Sequence, residues 1–569
     1  MTRRGGAPYL AVPNRGGLYG GGGGYRRLVT LGAVVLGVVV LGWFLLTRML
    51  GGDSCTTSYC PSGKGSDAPE GYTFVSKVYE FNAEQTAVPP GTEARVSLPL
   101  LDATTDGRNL AFYRFVETTG AWEPLGPALL DAGGETVSAT LPEPPPVIAV
   151  MRRLLPAGHV VAYLPHNGTL HPEAQGRITV LHSFDFTPSS DGTIAGELTP
   201  VAASGDFAFY PVISAGASQR GSIPIVSNIL ADGQNRSRHV QEIVRLVAER
   251  QLGGIDIAYL DLAPDQRTSF SLFVSELGQA LRANGKVLTL TLPPPMKVQD
   301  RIDEGAYDWQ ELGKSADILK IWPYRDQSTY RRDMPAIIEH LTTRVEVSKL
   351  VLTVTPYATE KTIEGLSTMT LAHAMSIATR LDVQTGSDQK IEAGSNVLIV
   401  ATNIDRDENL SGVLWDARAA SVGFTYKSDG PRTVWIENFF SIGFKLEYIY
   451  RHKLGGVAVE DASDNVYLGN IWTALVPFIA SGQPILMQPN PSDLVPFWKP
   501  PEKGSYDGGE RAGQRGSVRW ATPTEPGTYT ISLRLSDGVN FFENEITVTV
   551  EARSNRAPVE SSTPTQGTG

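Results

Sequence analysis

The chain has 569 residues, too many for one small module at about 150 residues per domain. Hydrophobic residues make up 41% and charged residues 19%, so most of the chain can bury apolar cores, and wholesale disorder is excluded. The net charge of −11 argues against a nucleic-acid binder held by phosphate contacts. With two cysteines and eight histidines, a disulfide scaffold is excluded, and neither a metal site nor a cofactor is expected.

Residues 28–47 form an apolar run without a charged side chain. In a helix, about 20 such residues cross a hydrocarbon core of about 30 Å. The run ends in bulky Trp43 and Phe44 rather than in a small-residue cleavage site, which favours an uncleaved anchor over a signal peptide. Residues 1–27 carry several arginines and no acidic residue, so the positive-inside bias predicts a cytoplasmic tail. We therefore expect a single-pass plasma-membrane protein of bacterial type whose later domains are extracellular.

A Gly- and Ser-rich linker follows at 48–71, and its Cys55 and Cys60 could close a small loop or link two chains. From 72 to 153, short stretches of alternating apolar residues are separated by Gly, Pro and Asp, with no helical period. This pattern predicts a small β-sandwich.

From 154 to 485 apolar strands alternate with amphipathic stretches of helical length, which is typical of βα units around a parallel sheet. Eight such strands predict an α/β fold, a (β/α)8 TIM barrel, and the extra sequence between Tyr357 and Trp435 predicts a small α+β insertion over one rim. The predicted strands are His159–Pro165, Arg177–Phe184, Phe207–Ser214, Gly254–Leu260, Lys286–Leu292, Asp317–Trp322, Lys349–Pro356 and Gly455–Asp461.

The segment 486–553 contains two long alternating strands around a Ser-Asp-Gly turn. It resembles an immunoglobulin-like or polycystic-kidney-disease-type domain. The two β-sandwich-like domains thus flank the barrel, and the polar tail 554–569 is expected to be disordered.

The sequence GGIDIAYLDL at 253–262, followed by a helix and by GKVLTLTLPP, is similar to the fourth-strand signature of glycoside hydrolase family 18. This family comprises the chitinase-like barrels and a bacterial branch associated with the spore cortex and peptidoglycan. The stretch RTVWIENFFSIGFKLEYIYRHKLGGVAVED at 432–461 resembles the way the family closes its barrel. The resemblance covers about 154–482.

The resemblance implies a carboxylate series along the fourth strand, with three aspartates and a final glutamate that protonates the glycosidic oxygen. The aspartate before that glutamate orients the N-acetyl group of the substrate, which acts as the nucleophile. In this chain the four positions are occupied by Gly253, Asp256, Ala258 and Leu260, so one carboxylate remains. Loss of a general acid alone lowers a rate by about 10²- to 10⁴-fold. No catalytic residue is therefore expected from the motif.

Two further motifs differ from the family pattern. The sixth strand of the family ends in Met-x-Tyr-Asp, whereas this chain keeps Tyr324 and replaces the aspartate by Arg325. At the end of the eighth strand, where the family commonly has a tryptophan under the scissile sugar, this chain has Glu460 followed by Asp461. Asp261, Glu460 and Asp461 are the candidates for a relocated acid.

The sequence predicts a family 18 relative that binds a cell-envelope or N-acetylglucosamine-containing glycan without hydrolysing it. Two alternatives remain open: a glycoside hydrolase with a relocated acid, and a structural or protein-docking scaffold. His182, Ser183 and Asp185 are interpreted as lining of the mouth rather than as a hydrolase triad. The candidate ligand-binding residues are Tyr163, Asp256, Tyr324, Arg325, Trp415, Tyr426 and Glu460.

Overall fold

The computed structural model describes residues 59–553 apart from gaps at 66, 70, 82–93, 105–106, 108, 132, 142, 155–157, 201–206, 217–221, 386–389, 405–411 and 508–515. The predicted membrane helix at 28–47, the tails 1–27 and 554–569, and Cys55 lie outside the described residues. Among the helices of the described part, none has the length and apolar character needed to cross a membrane. Cys60 is disulfide-bonded.

Two antiparallel sheets form the N-terminal β-unit, and Leu98, Phe112, Val137 and Val150 pack in a common core. The unit begins before the predicted boundary at 72, because Tyr59–Pro61 pairs with Tyr79–Phe81. Its strands are Tyr59–Pro61, Tyr72–Phe74, Tyr79–Phe81, Leu110–Val116, Ala121–Pro127 and Val147–Arg153 in one sheet, and Ala94–Pro99, Leu129–Leu130 and Thr136–Leu141 in the other.

Eight parallel strands form the barrel, and the eighth pairs with both the seventh and the first. The third strand is interrupted, since Ala208–Phe209 pairs with the second strand and Val212–Ala215 with the fourth. Seven of the eight strands lie within the predicted segments, and the third extends one residue beyond its segment, to Ala215. This agreement confirms the TIM barrel. They are β1 (His159–Leu164), β2 (Val180–Ser183), β3 (Val212–Ala215), β4 (Gly254–Tyr259), β5 (Val287–Leu292), β6 (Ile318–Ile321), β7 (Leu350–Val354) and β8 (Gly456–Val459).

The helices on the outside of the barrel do not follow every strand. Among the described residues no α-helix follows β1 or β2; a 3-10 turn at Pro172–Ala174 and a hairpin of Phe186–Pro188 with Ile194–Gly196 take these places. A second hairpin, Met296–Val298 with Arg301–Asp303, follows β5. The helices are α1 (Ser222–Ala231), α2 (Gly233–Glu249), α3 (Arg267–Ala283), α4 (Trp309–Ser315), α5 (Tyr330–Thr342), α6 (Leu371–Ala378), α7 (Phe439–His452) and α8 (Trp472–Ser481).

The two-residue period of the strands separates two cores. In β4, Ile257 and Tyr259 point outward into the core between strands and helices, whereas Ala258 points into the barrel axis. Helix α3 supplies the outer core with Phe270 and Phe273, which are both fully buried. Because this spacing is strict, the position of each β4 side chain relative to the axis follows from the sequence.

The insertion between β7 and β8 and the C-terminal unit share one core. Asn396–Ala401 of the insertion pairs with Ser517–Ala521 of the C-terminal unit over five residues. The sequence predicted a separate C-terminal domain at 486–553. In the structure this β-ladder joins that segment to the insertion, so the C-terminal unit is not separate from it. The insertion sheet comprises Ala358–Lys361, Leu366–Met369, Leu414–Asp416, Ser421–Lys427 and Pro431–Ile436; the joint sheet comprises Leu381–Gln384, Asn396–Ala401, Ser505–Tyr506 and Ser517–Ala521; and the last sheet comprises Phe497–Trp498, Gly527–Ser536 and Phe541–Val550.

Candidate functional site in the barrel mouth

Asp256, the one motif carboxylate that remains, lies fully buried in the barrel axis. Its Oδ1 accepts hydrogen bonds from Lys320 Nζ at 2.5 Å and from Thr289 Oγ1 at 2.7 Å, and its Oδ2 accepts one from Thr291 Oγ1 at 2.6 Å. Lys320 is also fully buried, and its Nζ lies 3.2 Å from His182 Nε2. The axis therefore holds a closed network in which a lysine neutralises the aspartate.

The protonation states of this network follow from burial and charge. Burial is the largest single effect and acts to raise the pKa of Asp256, but Lys320 and the other polar neighbours together outweigh burial and keep that pKa below its usual value. Burial lowers the pKa of Lys320 to about 8, although Asp256 opposes the shift. Burial and Lys320 together lower the pKa of His182 to about 3, so this imidazole is neutral near pH 7. Asp256 is thus held as a carboxylate that cannot deliver a proton.

The pKa of His182 predicts a pH dependence of stability. An unfolded histidine, with a pKa of about 6.5, takes up a proton as the pH falls, whereas folded His182 does not until about pH 3. His182 therefore contributes stability above about pH 6.5 that is lost progressively toward pH 3. We expect the Tm of the unchanged protein to fall more steeply between pH 7 and 4 than that of His182→Gln, measured by calorimetry. Exposed His373→Gln is the control, and parallel curves for the unchanged protein and His182→Gln would contradict the prediction.

Three aromatic rings close the axis above this network. Tyr163 is fully buried and lies 5.6 Å from Phe184 and 5.2 Å from Trp322, measured between ring centroids. The Tyr163 hydroxyl also contacts Thr291 Oγ1. Phe184 and Trp322 are partly exposed. Tyr163 and Asp256, both predicted as ligand contacts, therefore have no surface that a ligand reaches in this structure, whereas Trp322 reaches the mouth.

The end of β4 has no acid at the motif position. Ala258 is buried in the axis, and Leu260, two residues further along, is partly exposed just beyond the strand. The Tyr307 hydroxyl donates to Tyr259 O at 2.9 Å and accepts from Leu262 N at 3.1 Å, which fixes the turn between them. Asp261 is exposed within this turn, in left-handed backbone at φ +62°. Because β4 ends at Tyr259, strand alternation no longer determines where Asp261 points.

The other two candidate acids, after β8, are both engaged. Arg325 donates from both terminal nitrogens to the Glu460 carboxylate, one of these bonds being 3.1 Å long. Asp461 is buried and accepts hydrogen bonds from the Tyr357 hydroxyl at 2.5 Å and from Ser463 N at 2.9 Å. The two residues that differ from the family pattern at the ends of β6 and β8 therefore form an ion pair with each other.

The remaining predicted ligand residues are distributed over different surroundings. Tyr324 lies beside Arg325 in sequence, and its hydroxyl donates to Asp333 Oδ2 at 3.1 Å. The Tyr426 hydroxyl donates to Glu360 Oε1 at 2.5 Å within the insertion sheet. Trp415 packs on Phe444 of α7, with ring centroids 5.6 Å apart. The structure thus joins Arg325 and Glu460 at the ends of β6 and β8. Tyr324 packs against the core between strands and helices, and Trp415 and Tyr426 lie in the packing of the insertion.

The sequence analysis missed Lys320 as the partner of Asp256, and His182 as a contact of Lys320. The sequence contains a signal for Lys320, because a lysine interrupts the apolar strand β6. Lys320 lies two residues before Trp322, so both side chains face the barrel axis. It also missed the pairing of His166 with Asp185, in which Nδ1 and Oδ1 lie 3.0 Å apart. His166 follows β1 and Asp185 follows β2, so the topology alone places both at the same rim.

Residues 213–463 match the family model described as "Glycosyl hydrolases family 18". The "Uncharacterized glycosylase YvbX" of Bacillus subtilis (strain 168) is 18% identical over 247 residues, which are 41% of this chain. The match spans 64% of that relative, just under two thirds of its length.

Solved structures that are similar to this chain include two bacterial enzymes. A chitinase from Chromobacterium violaceum ATCC 12472 is 19% identical, and the match covers 57% of this chain and 100% of that chain with a TM-score of 0.43. The spore cortex-lytic enzyme SleL of Bacillus megaterium QM B1551 is 17% identical, and the match covers 61% of this chain and 77% of that chain with a TM-score of 0.42.

Proposed function

Because residues 213–463 belong to the glycosyl hydrolases of family 18, we propose that this barrel binds a cell-envelope glycan containing N-acetylglucosamine without hydrolysing it. The observation that carries the proposal is Leu260, an alkyl side chain at the position from which the family's glutamate protonates the leaving oxygen. An alkyl group has no proton to give. Ala258 likewise has no carboxylate with which to orient an N-acetyl group.

The nearby carboxylates support the same proposal. A general acid must keep its proton until the glycosidic bond breaks, and an adjacent cation favours the deprotonated form instead. Lys320 lies against Asp256 and favours its carboxylate form. Both oxygens of Glu460 are bound by Arg325, and Asp461 is buried with both oxygens engaged. A hydrolase with a relocated acid would have to release one of these groups or use the exposed Asp261. If Glu460 is that acid, Glu460→Gln abolishes the activity.

A docking scaffold is the second candidate, and the aromatic closure of the axis favours it. Tyr163 has no exposed surface, and Phe184 and Trp322 pack on it. Because these rings fill the mouth, a ligand could contact only residues on the rim. Under this alternative the barrel retains no glycan, which distinguishes it from the first proposal.

The proposal includes the anchor at 28–47, which would hold the barrel outside the membrane, where envelope glycans are. The N-terminal β-unit would then act as a spacer. Protease added to intact cells is expected to remove the barrel and leave the N-terminal tail protected.

The binding half of the proposal is tested with insoluble peptidoglycan and chitin. We expect the purified exterior, from residue 48 onward so that both cysteines are kept, to sediment with at least one of them and to be released by soluble N-acetylglucosamine oligomers. Trp322→Ala is expected to weaken retention because this ring reaches the mouth, whereas Trp122→Ala in the N-terminal β-unit is the control. Failure to sediment with either polymer would refute glycan binding.

A further inference from the structure

Two loops at the rim of the mouth are joined side by side. The loop after β1 and the loop after β8 form an antiparallel link, with Leu170 opposite Ser463 and Asp464 N donating to Thr169 O at 2.9 Å. Each loop then turns: Gly168 N donates to Pro165 O at 2.8 Å, and Leu468 N to Asn465 O at 3.1 Å. Because the link is antiparallel, the turns 165–168 and 465–468 lie at the same end of it.

The first turn carries His166, whose side chain is 44% exposed and is held by a fully buried carboxylate. Asp185 Oδ1 contacts His166 Nδ1 at 3.0 Å and accepts from Thr199 Oγ1 at 2.6 Å. Its Oδ2 accepts from Thr199 N at 3.0 Å and from the Ser183 hydroxyl. Three of these four partners are donors, and an ionised carboxylate can only accept, so Nδ1 carries the imidazole proton.

In the neutral ring, a proton on Nδ1 leaves Nε2 of His166 as a hydrogen-bond acceptor. Within the described residues Nε2 has no partner. A buried carboxylate with every oxygen engaged thus serves to orient one exposed ring nitrogen. A histidine that only covers the surface has no need of such support.

The second turn carries Tyr467, which is 62% exposed beside Val466, itself 86% exposed. The backbone of Tyr467 is fixed on both sides, since its N–H donates to Asn465 Oδ1 at 3.1 Å and its carbonyl accepts from Ala372 N at 3.1 Å. A large aromatic ring on a fixed backbone loses little conformational freedom when a flat apolar face packs on it.

We propose that His166 and Tyr467 form a sugar-binding subsite on the rim between β1 and β8. Tyr467 packs against the apolar face of a pyranose ring, and His166 Nε2 accepts a hydrogen bond from a sugar hydroxyl or amide N–H. The sugar is neutral, because exposed Asp464 in the same loop would repel a carboxylate. This subsite lies outside the filled axis, and the inference rests on the proposed glycan-binding function.

The test is calorimetric titration of the exterior with a neutral N-acetylglucosamine pentamer. Tyr467→Ala and His166→Ala are each expected to weaken binding about tenfold, an effect typical of one lost stacking or buried hydrogen-bond contact. Asp185→Asn is expected to weaken binding less than His166→Ala, because it loosens the imidazole without removing it. Tyr450→Ala and His373→Ala, both exposed on helices, are the controls.

The outcomes separate this inference from the function on which it rests. If the unchanged protein binds and both rim variants bind as tightly as the controls, with unchanged Tm, the subsite is refuted and the glycan-binding function stands. If the unchanged protein binds no oligomer, the function fails, and the subsite fails with it. Tighter binding of an acidic oligosaccharide than of the neutral pentamer would overturn the assignment of a neutral sugar.

Discussion

Lys320→Met is expected to destabilise the barrel by about 3–5 kcal/mol, because it leaves the buried carboxylate of Asp256 without its cation. Asp256→Asn leaves Lys320 buried without its anion and is expected to cost a similar amount. The double variant should recover most of the loss, since a neutral amide beside Thr289 and Thr291 no longer requires a charge. Urea denaturation followed by tryptophan fluorescence measures all three.

The control for Lys320 is Lys314, which is 60% exposed and pairs with Glu311 on the surface of α4. Exposed ion pairs contribute about 0–1 kcal/mol, so Lys314→Met should change stability little. Equal costs for Lys320→Met and Lys314→Met would contradict the interpretation of the axis as a neutralised ion pair.

Trp520→Ala is expected to cost about 3–5 kcal/mol, the usual range for truncating a fully buried tryptophan. Its strand pairs with Asn396–Ala401, and its ring lies in the core shared with Phe424 of the insertion. We therefore expect hydrogen exchange to accelerate in the insertion and in the C-terminal strands together.

Phe541→Ala is the matched control for Trp520→Ala, because Phe541 is 61% exposed in the same C-terminal unit. It should leave protection in the insertion unchanged. Faster exchange that is confined to 505–550 in Trp520→Ala would mean that the C-terminal unit folds independently of the insertion.

The barrel was predictable from the sequence because each strand combines a short apolar run with flanking turn residues, and because helical periods fill the intervals. The absence of a helix after β1 and after β2, among the residues that the structure describes, was not predictable in the same way. Short polar connections such as 184–200 show neither a helical nor a strand period of apolar residues. The hairpin there is defined only by the pairing of Phe186–Pro188 with Ile194–Gly196. The ladder between the insertion and the C-terminal unit joins strands more than a hundred residues apart, which no local pattern encodes.

The candidate site was predictable where it depends on position along one strand. The places of Asp256 and Ala258 follow from the two-residue period of β4, and Leu260 is the first residue beyond that strand. The partners of Asp256 come from β2, β5 and β6, so their contacts depend on how the barrel closes. Trp415 and Tyr426 were expected at the mouth because they fall in the insertion, and their packing within it depends on which face of the insertion sheet meets the shared core.

The central claim is that this mouth binds glycan without cleaving it, and the most direct measurement is the release of reducing ends. The purified exterior is incubated with peptidoglycan and with N-acetylglucosamine oligomers, and products are followed by a reducing-end assay and mass spectrometry. We expect no product above the background of a heat-denatured sample, while the same preparation sediments with the polymer. Product formation that Glu460→Gln abolishes would contradict the account and identify a relocated acid.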